Sequence, residues 1–119
     1  MFSALILAAA VQFMEPTIPA RMGNCSLNSE MTPCMWSFNS EDGVSTVAIG
    51  LSSDAILVVG GETIASDTFR VDAVTTGGSV AHGDNVTGVC RLETTNRPYR
   101  IECRFRLVNS KEYHLVVLP

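Results

Sequence analysis

The chain of 119 residues has one lysine (Lys111) and one tryptophan (Trp36), and charged residues make up only 17% of it. Disordered chains are rich in charge and poor in apolar residues, and at 46% hydrophobic this one falls in the globular class. Its length fits a single domain. The scarcity of cations, a net charge of −4 and a pI near 5.0 exclude nucleic acid as an expected partner, because the phosphate backbone would be repelled. No apolar run reaches the roughly 20 residues that a spanning helix needs, so no membrane span is expected.

Chemical signatures are scarce too. "GLSSD" at 50–54 is not a G-x-S-x-G nucleophile elbow, and no strand-to-helix transition follows it. The redox motif C-x-x-C is missing. The cysteines are separated by eight and twelve intervening residues, whereas zinc sites want close pairs of the C-x₂₋₄-C kind. Glycine doublets lie between apolar runs rather than ahead of a helix, which excludes a phosphate-cradling loop. Twelve acids can be paired in many ways, so no carboxylate couple stands out. Neither metal nor cofactor is expected, and a non-enzyme is the favoured reading.

Four cysteines are present, an even number suited to disulfides in an oxidising compartment. The start, "MFSALILAAAVQF", has the length and polarity of a signal-peptide core, although no lysine or arginine precedes it. "MEPTIPA" follows, and its prolines and Ala20 mark a cleavage point after residue 20. Ala8 and Ala10 offer an alternative cut after residue 10. Residues 1–20 are therefore expected to be a signal peptide and 21–119 one exported β domain, periplasmic or extracellular. No small apolar lipidation box precedes Cys25.

Beyond residue 33 the hydrophobic period is two. Runs rich in Val, Ile, Thr and Phe alternate with Gly, Asn, Asp and Ser clusters. The pattern predicts strands near 34–39, 44–51, 55–59, 62–67, 69–76, 79–82, 86–93, 100–108 and 113–118. Gly60-Gly61 and Gly77-Gly78 read as two-residue hairpin turns, and "NSEDGV" as a longer turn ending in Gly43. The fold class is all-β: an antiparallel meander of about eight short strands, closing as a small barrel or folding as a two-layer sandwich, stapled by disulfides.

One hairpin can be aligned from the sequence alone. If Cys90 faces Cys103, paired positions sum to 193, and then Arg91 faces Glu102 and Glu93 faces Arg100. Two opposite-charge pairs that the cysteines did not impose support this register, with Leu92 opposite Ile101 and Gly88 opposite Phe105 on the apolar side. The favoured disulfides are Cys90–Cys103 and Cys25–Cys34; the other two connectivities stay open. Trp36, next to Cys34, is taken as a core anchor.

Charge is segregated along the chain. From Glu30 to Asp84 there are eight acids and one base, Arg70; from Arg91 to Arg106 there are five arginines against Glu93 and Glu102. With those two acids matched, Arg97 at the hairpin tip, Arg104 and Arg106 are left over. Joined by Tyr99, they form a candidate site for an anionic surface ligand or an acidic protein partner. The bland alternative is that acids on a neighbouring strand, such as the C-terminal one, pair with them. The resulting expectation is a non-catalytic binding module, with inhibition of a secreted hydrolase as a sub-case. Two rivals are a purely structural envelope protein and a small hydrolase using the His82–Asp84 turn in "AHGDN". No oligomeric state is implied.

Overall fold

The computed structural model describes residues 17–28, 30–50, 56–76, 79–93, 100–108 and 110–119, with residues 79, 80 and 84 described for their backbone only. Among the described residues ten strands and one 3-10 turn follow one another: β1 (Thr17–Leu27), β2 (Thr32–Glu41), β3 (Val44–Gly50), β4 (Ile56–Ala65), β5 (Thr68–Arg70), β6 (Ala73–Thr76), β7 (Ser79–His82), the turn Gly83–Asn85, β8 (Val86–Glu93), β9 (Arg100–Leu107) and β10 (Glu112–Leu118). Each is antiparallel to its neighbours, and the order β3-β2-β1-β10-β9-β8-β5-β4 closes through a β3–β4 pairing. The meander is thus an eight-stranded closed barrel, and closure removes most exposed sheet edges. The β6–β7 hairpin is an insertion paired to β4 beyond the end of β5.

Period-two alternation explains the interior. Trp36, Phe38, Val47, Ile49, Val59, Phe69, Leu92, Ile101 and Leu115 are almost wholly buried inside the barrel with both disulfides. The outward residues of β8 and β9 are largely charged, the reverse of the apolar-out, polar-in pattern of barrels that face lipid. Among the described residues no helix is long and apolar enough to cross a membrane.

All eight β8–β9 pairs sum to 193, including Cys90↔Cys103, Arg91↔Glu102 and Glu93↔Arg100. Both favoured disulfides form. Cys90–Cys103 links directly opposed residues; Cys25–Cys34 is diagonal, since Cys34 faces Gly23 and Cys25 faces Thr32. Gly23 is small for a reason: a Cβ there would lie 2.6 Å from Trp36 Nε1 and 2.4 Å from Leu118 O. Glycine is what lets the indole enter the core where β1, β2 and β10 meet.

Three expectations about strands are corrected. Gly60-Gly61 is no turn but lies within the continuous strand β4, and neither residue has positive φ. The glycines answer close approach instead: a Cβ on Gly61 would overlap Arg70 O, and one on Gly60 would come within 3.1 Å of Ser45 O and Thr46 Oγ1. The run 69–76 is split at Val71-Asp72, because β5 pairs with β8 while β6 turns away to pair with β7. Finally, β1 begins at Thr17, ahead of the first run with a clear alternation. Its register shifts between Ile18 and Arg21, at Pro19-Ala20, which breaks the period that marks a strand.

The turn expected as a longer connection over 39–44 is shorter than predicted, because the β2–β3 ladder runs up to Glu41 and Val44. Glu41 faces Val44 across Asp42-Gly43, both at positive φ (54° and 80°), the conformation a tight two-residue hairpin requires. Thr76 faces Ser79, as a two-residue connection demands, while Gly77 and Gly78 lie outside the described residues.

Candidate functional site

The arginine hairpin forms one side of the barrel wall. Outward positions of β8 and β9 are Thr87, Val89, Arg91 and Glu93, then Arg100, Glu102, Arg104 and Arg106, so six of eight carry charge and the sum is +2. Inward neighbours Cys90, Leu92, Ile101, Cys103 and Phe105 are buried, and this fixes the charged side chains outward. The disulfide directly beneath holds the register, so the arginines stand on a stiff support.

Glu102 is the centre of this face. Its Oε2 lies 3.8 Å from an Nη of Arg100, 3.8 Å from one of Arg104 and 2.5 Å from Nε2 of His114. The His114 hydrogen bond, aided by the nearby guanidinium groups, holds the Glu102 carboxyl below the usual carboxylate range, against a smaller opposing effect of burial. Both arginine contacts are at the outer limit of an ion pair and leave guanidinium donors uncommitted. Among the described residues Arg91 and Arg106 make no ion pair within 4 Å. The matched pair Arg91↔Glu102 is therefore opposed in register, but Glu102 reaches along its own strand and across to β10 instead.

Thr68, Val89, Arg91, Glu102 and Arg104 line a shallow depression of about 230 Å³ on this face. Arg91 and Arg104 line it with Val89 and the Glu102 carboxylate, so a small anionic group entering there meets two guanidinium groups against one carboxylate. Arg106 is exposed beside it and faces Glu112 on β10, the neighbouring-strand acid that the bland reading anticipated. Arg104 faces His114 instead. Arg97 and Tyr99 lie outside the described residues.

His114 was missed by the sequence reading. Its place comes from the β9–β10 pairing, whose positions sum to 218 and set His114 opposite Arg104 and next to Glu102. Of the hydrolase rival, His82 is exposed at the end of β7 and the side chain of Asp84 lies outside the described residues. Among the described residues, no group of three or more His, Cys, Asp or Glu is placed to hold a metal ion. No family model matches this chain, and no curated protein and no solved structure matches it.

Proposed function

We propose that this protein is an exported, non-catalytic binding module that engages an acidic protein or anionic surface group through the outer face of β8 and β9. The observation that carries the reading is the depression flanked by Arg91 and Arg104. In an acidic protein, it gathers guanidinium donors that the fold leaves largely uncommitted. Arginine suits the role because its planar fork meets carboxylate or phosphate in two parallel hydrogen bonds. Export is supported by two disulfides, which persist in oxidising compartments.

Within this reading the signal cut falls after Ala10. Cleavage after Ala20 would remove Thr17 to Ala20 from β1, including the buried Ile18 that pairs with Phe38.

The test is charge reversal at exposed positions. Arg91→Glu with Arg104→Glu is expected to abolish capture of the partner from the native compartment, with thermal stability nearly unchanged. Stability lost and capture retained would make the arginines structural and overturn the reading.

A further inference from the structure

We infer that the barrel has a second binding surface, the outer face of β3, β4 and β6, which takes an extended peptide segment of a partner protein carrying apolar side chains and ending in lysine or arginine.

The outward positions of β3 are Val44, Thr46, Ala48 and Gly50, and those of β4 are Ile56, Val58, Gly60, Glu62 and Ile64. One of nine is charged, against six of eight on β8 and β9. Outward faces of antiparallel sheets are normally polar, yet Val44 and Ile56 are 53% and 54% exposed here. The pairing extends this character sideways. Ser37, Ala48, Val58 and Thr75 form one row across β2, β3, β4 and β6, and Asn39, Thr46, Gly60 and Ala73 form the next. Neither row contains a charge.

Val58 and Thr75 of the first row and Thr46, Gly60 and Ala73 of the second line a trough of about 430 Å³. Its volume falls in the range of ligand sites, roughly 300–1,000 Å³, enough for a few side chains. A Cβ at Gly60 would lie 3.1 Å from Thr46 Oγ1, so glycine keeps this part of the wall low.

The trough is charged at one end only. Glu62 and Asp72 line it there, Glu41 faces Val44 beside it, and Asp42 sits in the adjoining turn. Arg70 binds both Glu62 and Asp72, and the Glu62 N–H donates to Asp72 Oδ2 at 3.0 Å, so these acids are held in place. Four carboxylates against one guanidinium leave that end at −3 beside an uncharged body. The complement is an apolar segment with a cationic end. An anionic membrane surface would meet repulsion at the acids, and a second copy would bring an arginine face whose outward apolar side chain on β8 and β9 is Val89 alone.

Fluorescence anisotropy with a labelled peptide, Ile-Val-Ile-Lys-Lys amide, tests this. The expected result is saturable binding that falls about tenfold or more in Thr75→Trp, which fills the trough, and in Ala73→Phe, a second filling variant. Glu41→Lys weakens it severalfold, and so does replacing both lysines of the peptide by glutamate. The Arg91→Glu, Arg104→Glu variant binds this peptide as well as wild type, which separates the two faces. The inference is overturned by no binding at about 1 mM peptide, by equal binding of the glutamate peptide, or by undiminished binding to either filling variant with a native near-ultraviolet spectrum. Self-association lost in Thr75→Trp would assign the face to a second copy, and capture by anionic vesicles to a membrane; either result overturns it too.

Discussion

Among the described residues three hydroxyl side chains are buried in the barrel interior, and they allow a sharp test of the packing. Ser40, Ser45 and Thr63 are 4%, 0% and 3% exposed. Ser45 Oγ is 3.0 Å from Ser40 Oγ and 2.6 Å from Thr63 Oγ1, so one residue joins strands β2, β3 and β4. Ser45→Ala removes both bonds and leaves two buried hydroxyls without that partner, at about 1–3 kcal/mol for each group left unsatisfied. A loss of about 2–4 kcal/mol is therefore expected, once part of it is relieved by the remaining hydroxyls turning to other acceptors. Replacing all three at once, as Ser40→Ala, Ser45→Ala, Thr63→Val, removes the polar groups along with their bonds and keeps most of the volume. It should return stability to within about 1 kcal/mol of wild type. Urea unfolding with the disulfides intact measures both, and the m-value checks that the transition stays two-state. A triple variant as damaged as the sum of its single substitutions would refute the reasoning, since the hydroxyls would then be bonded independently rather than to one another.

Removing Cys90–Cys103 as a pair of alanines should lower stability by about 3 kcal/mol, from the chain entropy of a loop closed at a sequence separation of 13. Calorimetry would show this as a drop in Tm of roughly 10 °C or more. The pH dependence follows from Glu102, whose folded-state pKa is depressed: its stabilising effect is present above the unfolded carboxylate value and is lost as pH falls through the lower folded value. His114→Ala should flatten that part of the acid-unfolding profile relative to wild type; an unchanged profile would remove His114 as the cause. Mass spectrometry of the protein isolated from its native compartment should find the mature N-terminus at Val11, and a terminus at Arg21 would contradict Thr17–Ala20 as the start of β1.

The parts of the fold legible in the sequence were those where local pattern and pairing coincide. In β8 and β9 the cysteines, the alternation and two charge pairs all require one register, and a one-residue slip of either strand would turn its apolar side chains outward. The place of the Asp42-Gly43 turn was legible from its residue types, but its two-residue length was not. Barrel closure was not, because β1 meets β10 across nearly the whole chain and nothing local marks that pairing. Gly60-Gly61 misled for a physical reason: glycine serves close backbone approach as well as positive φ, and only the position of Arg70 and Thr46 tells which. Of the candidate site, composition marked Arg104 and Arg106 as unmatched but read Arg91 as satisfied by Glu102. The arrangement around Glu102 was not legible, since it needs His114 from the adjacent strand.

The most direct measurement is an amide and arginine side-chain NMR titration of the oxidised protein with a tetraglutamate peptide. If β8 and β9 form the anion-binding face, shifts should cluster at Val89, Arg91, Glu102 and Arg104, weaken with salt, and vanish in the Arg91→Glu, Arg104→Glu variant. Shifts confined to other strands, or none at millimolar peptide, would contradict it.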